Sequence, residues 1–226
     1  MENLNNEFCN FKIHSQYSIC QGAVKIDQLA KYCKENKIKS VGLSDNYNLC
    51  GALEFADKIS KVGTHPIIGT QINFRIKDFL GKLPLYATTK DSYKGITKLS
   101  SKSYLESGDQ SEPYCNFEEL SSLNKDTILL SGNHNDLFGK LFKSNKLQLI
   151  EDLIKDLKRS FKDKFYLEIQ RHNELGEKNY EDFLIKISAK LDLPLIASQE
   201  VYYINQDMYE AHDALICIGE KTFIDD

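Results

Sequence analysis

No stretch of this 226-residue chain approaches the roughly 18 consecutive apolar residues of a membrane-spanning helix. The N-terminus, MENLNNEFCN, lacks the basic and apolar regions of a secretory signal. Both absences lead us to expect a cytoplasmic protein with no membrane partner. The six cysteines (Cys9, Cys20, Cys33, Cys50, Cys115, Cys217) contain no CxxC pair, which favours free thiols in a reducing compartment. Neither GxGxxG nor GxxxxGK[ST] follows any apolar run, which weakens a nucleotide-binding open sheet. No serine or cysteine sits in a nucleophile elbow, so a triad hydrolase has no support. Basic residues are not in surplus either. The formal net charge of −4 argues against this chain acting as a main nucleic-acid clamp.

What the chain does have is an alternation of short apolar runs with amphipathic ones. Strands are predicted over Phe8–His14, Ser40–Asp45, Pro66–Phe74, Leu83–Thr88, Thr127–Gly132, Phe165–Gln170 and Pro194–Tyr203. Between them, Ile26, Leu29, Ala30 and Cys33 follow the spacing of one buried helix face. Leu147, Ile150, Leu153, Ile154, Leu157 and Phe161 repeat it, as do Tyr180, Phe183, Leu184, Ile187 and Leu191. A last helix carries Met208, Ala211, Leu215 and Ile216. Repeated β-then-α units predict an α/β fold with a largely parallel sheet, closed or nearly closed into a barrel. With no Pro- or Gly-rich linker, we expect a single domain, with Ser101–Asn116 as a surface excursion.

Chemistry in such a barrel gathers at the C-terminal ends of the strands. The residues there are His14, Asp45, Asn46, Gln71, Asn133, His134, Arg171, His172, Glu200 and Tyr202. His14 reads either as a metal ligand or as a histidine bonded to a neighbouring carbonyl. Asp45 is a ligand or a cap for the turn that follows it. Glu54, on a helix, is expected to be solvated or salt-bridged, and His65 starts a strand at the wrong end for catalysis. His134 lies in a turn placed to face the barrel mouth. Glu168 alternates with Leu167 and Ile169 and points inward. A charge there needs a partner, for which Arg171 is the natural candidate. His212 reads as a packing or partner-facing residue.

Several strings occur together and in order: HSQYSICQGAVKIDQLAKYC, VGLSDNYNLCGALEF, HPIIGTQINF, LEIQRH and LPLIASQEVYYINQDMYEAHDALICIGEKT. In this set the chain resembles the PHP (polymerase and histidinol phosphatase) domain, in the form carried at the N-terminus of bacterial DNA polymerase III α subunits. The likeness runs from Phe8 to about Thr222. It implies a distorted seven-stranded (β/α) barrel over 8–222, a flexible N-terminus over 1–7, and over 223–226 the start of a connection to a polymerase core.

The resemblance also implies a site for up to three divalent metals, held by His, Asp, Glu and sometimes Cys. At the family's first motif, HxH, this chain has Lys12 and His14. Where the family reads TDH it has Ser44, Asp45 and Asn46, and the glutamate expected after PIIG is Gln71. The next strand's histidine is replaced by Pro84, a turn cysteine by Asn133, and the final D-x-H by Glu200 and Tyr202. Amides bring no negative charge, and an ammonium repels the cation it displaces.

We therefore expect a vestigial site with no catalytic residue and no metal. If any cation bound, it would use His14, Asp45 and Glu200. Lys12 should replace the lost metal charge as a counter-ion to these carboxylates. Implied partners are the rest of the polymerase α chain, a proofreading exonuclease (epsilon) subunit, the replicase holoenzyme, and DNA through the full-length protein. Magnesium would serve the absent polymerase core. The rival reading is a metal-dependent phosphoesterase or 3'-5' exonuclease using manganese or zinc, with His14, Asp45, His134, His172 and Glu200 as ligands.

Overall fold

A computed structural model describes residues 8–108, 112–123 and 126–224. The predicted flexible segment 1–7 lies outside these residues, as do Asp225 and Asp226 of the predicted connection. In chain order the elements are β1 (Lys12–Ile13), α1 (Ile26–Glu35), β2 (Ser40–Asn46), α2 (Ala52–Lys61), β3 (His65–Ile76), β4 (Phe79–Ala87) and α3 (Lys90–Glu106). They continue with β5 (Tyr114–Asn116), β6 (Thr127–Leu130), α4 (Leu137–Lys143), α5 (Leu147–Phe161), β7 (Phe165–Ile169), α6 (Glu177–Leu191), β8 (Leu195–Ala197), β9 (Glu200–Val201) and α7 (Tyr209–Glu220).

Among the described residues the sheet has nine strands rather than seven. Its order is β8-β7-β6-β4-β3-β2-β1-β9, with β5 paired to β3. Most ladders are parallel, but β4 runs antiparallel to both β3 and β6. The run predicted as one strand over Pro194–Tyr203 is divided into β8 and β9 by Ser198 and Gln199. These two short strands lie at opposite ends of the sheet order. The three steps from Ala197 to Glu200 span at most about 11 Å of extended chain. The sheet therefore curls until its two ends nearly meet, giving a barrel-like α/β domain.

The two faces of the sheet differ in chemistry because successive strand residues point to opposite sides. Outward positions are apolar. Ile13, Val41 and Leu43 pack against Ile26, Leu29, Phe55 and Ile59 of α1 and α2. Ile72, Phe74, Leu83, Leu85, Leu129, Phe165 and Leu167 pack under the helices α3 to α6. Inward positions carry polar groups instead, among them Lys12, Ser44, Gln71, Glu168 and Gln170, all buried. The barrel is thus filled by a hydrogen-bonded network where aliphatic layers are the usual solution.

The predicted helix faces of α1, α5 and α6 turn inward, though Phe183 and Leu191 of α6 are half-buried and Leu147, the first residue of α5, is 40% exposed. On α7 no residue is fully buried. Within Ser101–Asn116, the expected surface excursion, Ser101–Glu106 completes α3 and Tyr114–Asn116 pairs with β3, while residues 109–111 lie outside the described residues. The capping box of Thr89 and Ser92 starts α3, a local signal that the apolar pattern does not report. Cys33 and Cys115 are buried, and the Cys115 thiol donates to the Leu99 carbonyl at 3.3 Å.

Candidate functional site

Strand register brings Lys12 of β1 beside Glu200 of β9. The Lys12 ammonium reaches inward and lies 2.9 Å from Glu168 Oε1 and 3.1 Å from Glu200 Oε1. The side chains of Lys12 and Glu168 have no exposure, and that of Glu200 has 9%. Burial alone would neutralise Lys12, but Glu168 and Glu200 outweigh it and hold the amine well above its ordinary pKa. Burial also opposes ionisation of Glu200. The Lys12 charge, the bond to His14 and the Lys82 charge win, keeping the carboxyl well below the usual range. The expected counter-ion is therefore in place, but its partners are Glu200 and Glu168, not Asp45.

Glu168 does not pair with Arg171. That guanidinium forms an exposed two-pronged bond to Glu181, with contacts of 2.9 and 2.7 Å. Residues 168 and 171 are an odd number of positions apart, so an extended chain sends them to opposite faces. Within the barrel Glu168 Oε1 instead accepts bonds from Gln170 (2.8 Å) and from the Ser198 hydroxyl.

His14 is fully buried and packs flat on Tyr202, with ring centroids 4.3 Å apart and planes 7° from parallel. Burial lowers its pKa despite the Glu200 carboxylate 3.6 Å away, so the imidazole is neutral at pH 7. Gln71 Nε2 donates to Glu200 Oε1 at 2.9 Å and faces His14 Nε2 at 3.2 Å. His14 Nδ1 faces the Ser18 hydroxyl at 3.4 Å. Tyr202 donates its hydroxyl to Glu200 Oε2 at 3.0 Å.

Asp45 has a different role from both sequence expectations. Its Oδ1 accepts the Ser15 amide (2.6 Å) and the Ser18 hydroxyl (2.7 Å), and its Oδ2 accepts the Ser15 hydroxyl (2.7 Å). It clamps the loop after β1 rather than its own following turn. Asn46 bonds Gln21 and receives Lys82 Nζ at 3.4 Å. Pro84 lies opposite Gln71 in the antiparallel ladder and offers no donor atom. Asn133 donates its amide N–H to Asp136 (2.8 Å) and its side chain to Gln170 (3.3 Å).

Above this cluster opens a cleft of about 810 Å³, lined by residues including Lys82, Asn133, His134, Asp136, His172, Glu200 and Tyr202. Sequence reasoning missed two of these. Lys82 shares the inward parity of Pro84 and Tyr86, a signal legible once β4 is extended back to Phe79. Asp136 precedes the apolar start of α4, in the position of a helix cap. Burial raises its pKa to about 6, against the pull of Lys82 and Lys12.

The remaining candidates stand apart from the cluster. His134 lies 3.7 Å from Glu174, and His172 faces Gln170 and Gln199. His65 is exposed at a strand start, and Glu54 is bonded to Tyr17 and Lys58. His212 bonds the Gln21 carbonyl and packs on Tyr202 and Tyr203.

A divalent cation needs several converging anionic or imidazole donors. Here an ammonium holds the position between Glu168 and Glu200, and Asp45 is committed to serine donors. Among the described residues no group of three or more His, Cys, Asp or Glu is arranged to hold a metal ion. The residues present do not fit the implied metal cluster. The rival ligand set of His14, Asp45, His134, His172 and Glu200 is not brought together.

The chain is 33% identical to the DNA polymerase III subunit alpha of Caulobacter vibrioides, over 96% of this chain and 20% of that protein. It is 31% identical to the corresponding subunit of Pasteurella multocida, over 97% of this chain and 19% of that protein. The chain thus spans about a fifth of the length of these curated relatives. An amidohydrolase structure from Chromobacterium violaceum matches with a TM-score of 0.58 at 10% identity, covering 92% of this chain and 97% of that one. That likeness concerns the fold alone. A sequence profile described as the PHP domain matches residues 10–172. Since this match covers most of the sequence, and the barrel-like fold agrees with it, the chain belongs to the PHP domain family.

Proposed function

We propose that this chain is the PHP domain of a bacterial DNA polymerase III α subunit and acts as a scaffold without phosphoesterase turnover. The observation that carries this is the Lys12 ammonium bonded to Glu168 and Glu200 where the family places metal. A fixed internal cation neutralises the carboxylates but has no open coordination position. It can neither polarise a phosphoryl oxygen nor generate a bound hydroxide, the two services a catalytic metal supplies. Nucleotidyl transfer, with its magnesium, belongs in this reading to polymerase domains outside these 226 residues.

The scaffold role includes docking a proofreading exonuclease (epsilon) subunit within a cytoplasmic replicase. Its support is surface chemistry. α7 buries none of its residues fully, and Ile218 and Phe223 are 71% and 79% exposed. Apolar surface of this kind marks an interaction face. The test combines metal analysis of the purified chain, phosphate-ester turnover with added Mn²⁺ or Zn²⁺, and co-purification with the exonuclease subunit. We expect no stoichiometric metal, no turnover, and retention of the exonuclease. Bound metal with turnover abolished by His14→Ala would establish the phosphoesterase reading instead.

A further inference from the structure

We propose that α3 lays its outer face against the phosphate backbone of duplex DNA. Lys90, Lys94, Lys98 and Lys102 recur at every fourth residue of this helix, so they form one stripe along its surface. At the helical rise the stripe is about 18 Å long, with a charge about every 6 Å. Lys90, Lys94 and Lys98 are exposed, as is Ser101 on the same face, and Lys102 is half-buried. The other face, through Ile96 and Leu99, packs into the apolar core with Leu83, Leu85 and Cys115. Near the C-terminal end of α3, Ser100 donates to the carbonyl of Tyr47, a residue that lines the cleft. The stripe therefore climbs the outer wall of the barrel toward its mouth.

Fold stability does not account for this placement. Like charges four residues apart weaken a helix, and the macrodipole disfavours cations near a helix N-terminus. α1, α2, α4, α5 and α6 keep basic residues in the last turn, where the dipole favours them. α3 has none there and begins with Lys90. Neutralisation by neighbours is slight. Lys94 reaches Asp91 at 3.4 Å and Lys102 reaches Glu119 at 3.4 Å. Among the described residues no carboxylate pairs with Lys90 or Lys98. Ammonium groups meet phosphates as point charges, and a serine hydroxyl adds a donor to the same oxygens. Such contacts hold DNA without reading its sequence. The net charge of −4 on the whole chain keeps the contact weak, a guide along the barrel wall rather than a clamp. The choice of DNA among polyanions rests on the polymerase reading; the stripe itself does not.

The test is fluorescence anisotropy of a short labelled DNA duplex titrated with the 226-residue chain at several salt concentrations. Three exposed lysines predict a slope of log K against log salt of about −3, or about a fortyfold loss between 50 and 200 mM. Lys94→Gln should reduce that slope by about 1. Replacing Lys90, Lys94 and Lys98 together by Gln should remove binding at every salt concentration. Glutamine matches lysine in helix propensity, and circular dichroism confirms that the variants stay folded. Lys178→Gln with Lys186→Gln, on the exposed side of α6, should leave the slope unchanged. No binding at low salt, binding that survives the triple replacement, or equal loss in the α6 variant overturns the proposal. Polyglutamate that competes for the chain as well as unlabelled duplex overturns the choice of DNA. Retention of the exonuclease without duplex binding sinks this inference and leaves the proposed function standing. Duplex binding through α3 in a chain that holds metal and turns over phosphate esters does the reverse.

Discussion

Lys12 is the residue on which the interior depends most. An ion pair shut away from water adds little net stability over an apolar replacement, but removing one partner strands the other charge. Lys12→Met keeps the length of the side chain and leaves Glu168 and Glu200 facing each other. We expect a loss of about 3–5 kcal/mol in chemical denaturation. A loss below about 1 kcal/mol would show that the carboxylates find another cation, for which Lys82 is placed.

Titration separates the other buried groups by sign. The folded-state pKa of Asp136 is raised from 3.8 to about 6, so between these values the folded chain binds more protons than the unfolded one. Stability from this group is present at low pH and is lost as pH rises through about 6. Asp136→Asn retains an oxygen acceptor for the Asn133 amide and removes the charge. It should abolish that falling slope and raise stability at pH 7 by up to about 3 kcal/mol, read from denaturation at several pH values. His14 acts in the opposite direction. Its lowered folded-state pKa means stability is lost as pH falls below the unfolded value of 6.5.

At the scale of elements, close approach of chains fixes the barrel as much as burial does. Gly42 of β2 faces the backbone of Phe11, and a Cβ there would come within 2.5 Å of Phe11 Cα. Gly42→Ala should therefore cost about 1–3 kcal/mol through displacement of the N-terminal segment, visible as a lowered denaturation midpoint. The apolar pattern marked every long strand but overextended β1, because Phe8–Phe11 continues an apolar alternation without joining a regular ladder. It missed β5, three residues in a polar setting. The family motif located Lys12, His14, Gln71 and Glu200. Neither pattern nor motif identified Glu168 as the partner of Lys12. That contact joins strands far apart in sequence, and local reasoning chose the nearest cation, Arg171. The Asp45 clamp was equally hidden, since a strand-end aspartate carries no mark of whether serines will reach it.

Over the whole molecule, stability is unevenly distributed. The β2, β3 and β4 ladders lie under two apolar clusters, whereas α7 rests on a few contacts to Gln21, Tyr202 and Tyr203. Native-state hydrogen exchange should show α7 amides opening locally, at least tenfold less protected than those of β3. Equal protection would mean that α7 belongs to the same cooperative unit, and that its exposed apolar side chains need no partner to stay ordered.

The pairing of β1 with β9 has a consequence for biosynthesis. A ribosome releases Lys12 about 190 residues before the strand that carries Glu200, an interval of roughly 10–40 s at ordinary elongation rates. Throughout that interval the amine stays in water and the barrel stays open on one side. The domain can close only once nearly all of it has been made, so a nascent chain stalled before β9 should still be an open, protease-sensitive sheet.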